Sequence, residues 1–134
     1  ILENVAFGIP IKEIDIEKVK KVLSQAKILD DIEQWPNGLN TSVGEVGIQM
    51  SGGQIQRIGI ARALYKSGDI IIFDEATSAL DSKTESALLD TIKDLKKEVT
   101  IVIVAHRIGT LKLCDRIIEL DNGSISRICE YSDL

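Results

Sequence analysis

Asp69-Ile70-Ile71-Ile72-Phe73-Asp74-Glu75-Ala76-Thr77-Ser78-Ala79-Leu80-Asp81 is the stretch on which the fold of this chain turns. Four apolar residues, Ile70 to Phe73, run without a polar break and stop at two adjacent carboxylates, Asp74 and Glu75. A short, unbroken β-favouring run suits a strand buried on both faces, as in a parallel sheet covered by helices. Acids at the carboxyl end of such a strand stand where open α/β sheets place their ligand crevice. Successive strand side chains point to opposite faces, so Asp74 and Glu75 take different tasks. One can hold a metal ion while the other faces a water or substrate. Two solvated acids would account for this stretch alone equally well; its neighbours decide.

Downstream, Asp81 or Ser82 caps a helix, Ser82 and Glu85 match the capping box, and Leu88, Ile92 and Leu95 form its apolar face. A second apolar run, Thr100 to Ala105, ends at His106. Strand, helix, strand is a βαβ unit, so the two strands are expected parallel with a right-handed crossover. Parallel strands end on one rim, which sets His106 beside Asp74 and Glu75. A carboxylate pair and a histidine there suggest metal-assisted phosphoryl transfer to water. Asp74 would hold Mg²⁺, Glu75 would orient or deprotonate the attacking water, and His106 would donate to a phosphate oxygen. The plainer reading of a lone histidine is structural; its strand-end position favours function. A short helix, Ile108 to Leu113, precedes a hairpin of Arg116–Leu120 and Ser124–Ile128 across Asp121-Asn122-Gly123. Cys129 to Leu134 reads as a tail.

Upstream, Ser51-Gly52-Gly53-Gln54 opens a helix over Ile55 to Tyr65, with Ser51 and Gln54 matching the capping box. Glycines at a helix N-terminus expose backbone N–H groups to a phosphate, although a glycine-rich cap without a ligand would look the same. Gly59, Ala61 and Ala63 suggest close helix packing. Before this lies a turn-rich connection, Trp35 to Thr41 followed by Ser42 to Gly47, of a length that is often functional. Val19, Val22, Leu23 and Ala26 mark one face of a helix from Asp15 to Leu29, with Asp15 as N-cap and Asp30-Asp31 beyond its end.

The 134 residues make one domain or part of one, able to bury about two thirds of the unfolded surface. With 16 basic against 21 acidic residues the net charge is -5, which argues against a nucleic-acid partner. Cys114 and Cys129 form neither a metal cluster nor a disulfide framework and read as small buried hydrophobes. The chain begins at Ile1, as expected of a fragment or a processed chain.

Taken together, Met50-Ser51-Gly52-Gly53-Gln54, Arg57, Ala61-Arg62-Ala63-Leu64, Ile70 to Asp81 and Ala105-His106-Arg107 resemble, in order and spacing, the nucleotide-binding domain of ATP-binding-cassette (ABC) transporters. The resemblance implies a P-loop NTPase-like parallel sheet with helices on both faces plus an α-helical signature subdomain. It divides the chain into a helical part, residues 1–67, and the C-terminal part of a RecA-like core, residues 68–134. Ser51, Gly52, Gly53 and Gln54 become the signature loop, Asp74 the Walker B magnesium ligand, Glu75 the catalytic base, Ser78 to Asp81 the D-loop and His106 the switch histidine. The implied cofactors are ATP and Mg²⁺. The implied partner is a second nucleotide-binding domain, head to tail, with the signature loop of one copy meeting ATP held by the other.

Thr41 to Gly47 looks like the loop that exporters place before the signature, with Glu45 against a coupling helix of the membrane domain, and Val46 where Arg or Asn is usual. Ile1 to Gly8 looks like the stretch after the exporter Q-loop. That implies the cytoplasmic face of a membrane. No Gly-x-x-x-x-Gly-Lys-Ser/Thr occurs, so the phosphate-gripping half is expected to precede Ile1. Two alternatives stand beside the exporter: a soluble ABC ATPase of the DNA-maintenance type, and a non-catalytic truncated module that only docks on a partner.

Overall fold

The computed structural model describes residues 1–44, 47–66, 68–74, 82–96, 99–105 and 108–134, with residues 82–84 as backbone only. The first turn of helix, α1 (Leu2–Val5), buries Val5 and leads to α2 (Ile16–Gln25). Asp15 caps α2 by accepting from the Lys18 N–H at 3.0 Å, a contact worth about 1 kcal/mol. Val19, Val22 and Leu23 turn inward as their spacing predicts.

α2 ends earlier than that spacing suggests. Lys27 adopts a left-handed φ of 55°. The Ile28 N–H then reaches back to the Leu23 carbonyl at 3.1 Å, and the Lys27 N–H to that of Ser24 at 2.9 Å. This is a Schellman ending, completed by Leu23 and Ile28 in the same buried cluster. Lysine where glycine is usual hides the stop from the sequence. The chain restarts as α3 (Leu29–Glu33), so Asp30 and Asp31 open a helix instead of trailing one, their carboxylates complementing its dipole.

The described part of the connection to the next helix is held by its own backbone. A single tight turn covers Gly38–Asn40, Val43 bridges Ile48, and the Ile48 N–H donates to the Ser42 carbonyl at 3.0 Å. Gly47 is required there, because a Cβ would lie 2.2 Å from the Ser42 carbonyl oxygen. α4 (Gly52–Tyr65) follows, 14 residues and hence about 21 Å long. It packs against α1 and α2 and buries Ile58, Ile60, Ala61 and Tyr65. Gly59 does not contribute as expected: it is exposed, and an added Cβ would meet nothing within 4 Å.

β1 (Ile70–Asp74) and β2 (Thr100–Val104) pair in parallel, with Asp74 opposite Val104, and α5 (Ser82–Leu95) connects them as the βαβ reading predicts. Leu88, Ile92 and Leu95 are buried, each 2% exposed, in one cluster with Ile71 and Phe73. The other face departs from the two-sided burial that four unbroken apolar residues suggest. Ile70, Ile72, Val102 and Val104 are exposed, Ile72 at 67%. Among the described residues each strand also has one unpaired edge.

An open apolar sheet face with free edges is an association surface. The 134-residue chain is therefore expected to self-associate as its concentration rises, and Ile72→Lys to weaken that association. Sedimentation at several loadings checks it; a strictly monomeric parent chain would overturn the expectation.

After α6 (Ile108–Leu111), β3 (Ile117–Asp121) and β4 (Ser124–Cys129) form the hairpin that Asn122-Gly123 foretells. Both turn residues have positive φ, 47° and 77°, the two-residue geometry that matches strand twist. A register shift at Glu119/Leu120 bulges the ladder, and Arg127 pairs with Glu119 at 2.6 Å.

Candidate functional site

The N-terminus of α4 has the construction its sequence predicts. Ser51 Oγ accepts from the Gln54 N–H at 3.3 Å, and Gln54 Oε1 accepts from the Ser51 N–H at 3.0 Å. The Ile55 N–H takes the Ser51 carbonyl at 3.0 Å. That leaves the N–H groups of Gly52 and Gly53 without a hydrogen-bond partner among the described residues. Ser51 and Gly52 are exposed while Gly53 is buried, so the turn opens to the outside at its first two residues. Two free amides at the positive end of a long helix are suited to an anion, the dipole adding about 0.3–1 kcal/mol.

Three contacts behind this turn were not foreseeable from motif spacing. Gln54 Nε2 donates to Asp31 Oδ2 at 3.3 Å. Arg57 donates to the Lys27 carbonyl at 3.3 Å. Arg62 holds Asn4 twice, Nε on its carbonyl at 2.7 Å and Nη2 on Oδ1 at 2.9 Å, with its guanidinium 5.6 Å from the Phe7 ring centre. Each joins residues at least 30 positions apart except the first, at 23. Only the fold brings them together.

Asp74 closes β1 on the exposed face of the sheet, in line with Ile70 and Ile72 and beside Val104. A single exposed carboxylate with open space in front suits a hard cation that takes its remaining oxygens from water and phosphate. Among the described residues no group of three acidic, histidine or cysteine side chains could hold a metal by itself. Glu75, Asp81, His106 and Glu45 lie outside the described residues. β2 nevertheless ends level with Asp74, two positions before His106, so the parallel register that argument required is present.

Among the described residues no hydrogen bond or ion pair joins the Ser51–Gln54 turn to Asp74. The surface depressions lie elsewhere. One of ≈ 600 Å³ runs past Asp15, Lys18, Lys21 and Asp69 and includes none of the residues above. Cys114 and Cys129 are free and half-buried rather than fully buried; burial pushes the Cys114 thiol up, with Asp115 adding to it. Among the described residues no helix is long and apolar enough to cross a membrane.

The sequence profile of the ABC transporter family matches residues 2–78. An ATP-dependent lipid A-core flippase of Pseudoalteromonas translucida (strain TAC 125) is 43% identical over 125 residues, covering 93% of this chain and 21% of the flippase. The flippase of Cupriavidus metallidurans is 39% identical over 135 residues, covering 100% of this chain and 23% of its own length. Among solved structures, a bacterial Atm1-family ABC exporter with ATP bound superposes with a TM-score of 0.80 at 37% identity, over 98% of this chain and 23% of that one. The chain thus spans between a fifth and a quarter of the relatives it matches. On the profile match, the shared fold and the motif order, this chain belongs to the ABC transporter family.

Proposed function

We propose that this chain is the C-terminal part of the ATP-binding and ATP-hydrolysing domain of an ABC exporter, residues 1–67 forming the helical subdomain and 68–134 the second half of the catalytic core. The observation that carries this is the capped turn at Ser51–Gln54, which is exposed at Ser51 and Gly52 and leaves the Gly52 and Gly53 amides without a partner among the described residues. Open to the outside at Ser51 and Gly52, this turn suits a nucleotide presented by a second copy of the domain, head to tail. Asp74 would hold Mg²⁺, which would supply charge neutralisation for phosphate oxygens. Glu75 would take the proton of the attacking water. His106 would donate to a phosphate oxygen, and Asp81 would approach the nucleotide across the interface. The exporter type, rather than a DNA-maintenance ATPase, is supported by the flippase relatives and the Atm1-family exporter that this chain resembles. Glu45 would meet a coupling helix of the membrane-spanning part, on the cytoplasmic side. The relatives carry different names, flippase and Atm1-family exporter, so we assign cargo choice to that membrane part.

The reading is tested by nucleotide binding. The isolated 134-residue chain supplies amides and one magnesium ligand but no lysine-bearing phosphate loop. It is expected to show no measurable Mg·ATP binding by calorimetry, whereas the full-length polypeptide binds and hydrolyses it. Micromolar affinity in the isolated chain would overturn the assignment of the missing phosphate grip to another segment.

A further inference from the structure

The Gln54 amide has two chemically opposite ends, and the fold uses both. Its Oε1 accepts from the Ser51 N–H at 3.0 Å while its Nε2 donates to Asp31 Oδ2 at 3.3 Å. Turned over, the amide would set its NH₂ against the Ser51 N–H and its oxygen against a carboxylate, two repulsive pairs. Asp31 is an acceptor only. It therefore decides which way Gln54 lies, and Gln54 decides whether the Ser51 N–H is engaged.

Asp31 is itself held. It sits in the first turn of α3, just past the left-handed Lys27. The Lys27 carbonyl accepts from Arg57 Nη1 at 3.3 Å, and its ammonium pairs with Asp94 on α5 at 2.7 Å. Gln54 and Arg57 are one turn apart on α4, so the elbow between α2 and α3 docks on the start of α4 at two points.

We propose that Asp31 is a positioning residue for the Ser51–Gly53 turn. By orienting Gln54 it keeps the capping box closed, which keeps the Gly52 and Gly53 amides presented together to a nucleotide phosphate. This rests on the reading of that turn as nucleotide-contacting. The turn meets phosphate in the ground state as well as in the transition state, so its misalignment weakens binding more than it slows chemistry.

The test uses the full-length polypeptide that carries these residues, with initial hydrolysis rates measured against Mg·ATP concentration. Asp31→Ala raises KM by about threefold to tenfold, the range of one modest hydrogen bond, with kcat within about twofold. Asp31→Asn keeps an acceptor oxygen and stays within about twofold of the parent in KM. In a Gln54→Ala background Asp31→Ala adds nothing, since no amide remains to orient. A lowered Tm with unchanged KM in Asp31→Ala overturns the proposal, as does Asp31→Asn behaving like Asp31→Ala. Ser51→Arg separates the levels. If it too leaves the ATP dependence untouched, the nucleotide-contacting reading of the turn fails; if it does not, an unmoved KM in Asp31→Ala removes only the positioning role.

Discussion

Glu75→Gln is expected to reduce ATP hydrolysis by the full-length polypeptide by at least about 100-fold, the lower range for loss of a general base. Glutamine keeps the size and one acceptor oxygen of glutamate but takes no proton at neutral pH. The groups proposed to bind nucleotide are elsewhere: Asp74 at the end of β1 and the Gly52 and Gly53 amides at the start of α4. ATP affinity should therefore stay within about threefold of the parent, and removing a negative charge near the phosphates moves it upward if at all. Phosphate-release kinetics and equilibrium nucleotide binding, measured on the same preparation, check both halves. Turnover at the parent rate removes Glu75 from the role of base. Loss of binding in step with turnover would instead make Glu75 a metal ligand. Asp74→Asn is the contrasting variant: it takes charge from the proposed magnesium ligand, so its loss should appear as a raised Mg²⁺ requirement.

The position of Asp74 at a strand end was legible because it is set by a short segment whose geometry is local. Strand alternation alone puts Asp74 on one face with Ile70 and Ile72, and the βαβ connection alone brings β2 level with it. The capping box at Ser51 and Gln54 was equally plain, since both bonds close within four residues. What the sequence concealed has two physical origins. The stop of α2 at Lys27 is a backbone conformation that lysine rarely adopts, and its propensity gives no sign of it. The contacts of Asp31, Arg57 and Arg62 are tertiary, between residues that no motif relates. Periodicity also misjudged one face of the sheet. Four consecutive apolar residues predict burial on both sides, yet only Ile71 and Phe73 reach the core of the described residues, while Ile70 and Ile72 face outward with Asp74. Composition reports how apolar a strand is, not which side is covered within a given stretch of chain.

Ser51→Arg should abolish ATP-driven pairing of two copies, and the reasons can be separated from simple destabilisation. Ser51 is the N-cap of α4, and replacing it with alanine forfeits about 1 kcal/mol. Ser51→Ala pays that cost and nothing more, so it sets the level of loss expected from the cap. Arginine pays it too, and adds a long cation directly before the two open amides. Their partner in the proposed assembly is a phosphate held by the opposite copy, which must approach within about 3 Å of the N–H groups. A side chain in that space keeps the amides and the phosphate apart, and the charge attraction it offers acts from the wrong position to restore the turn's own bonds. Light scattering behind size exclusion, with Mg·ATP in a Glu75→Gln background to prevent turnover, should give the alanine variant a modest loss of dimer and the arginine variant at least about a 30-fold loss, since excluded volume removes every contact of the turn at once. Equal pairing by the two variants would mean that the amides of Gly52 and Gly53 face no ligand across the interface. The open turn would then be only the start of a helix.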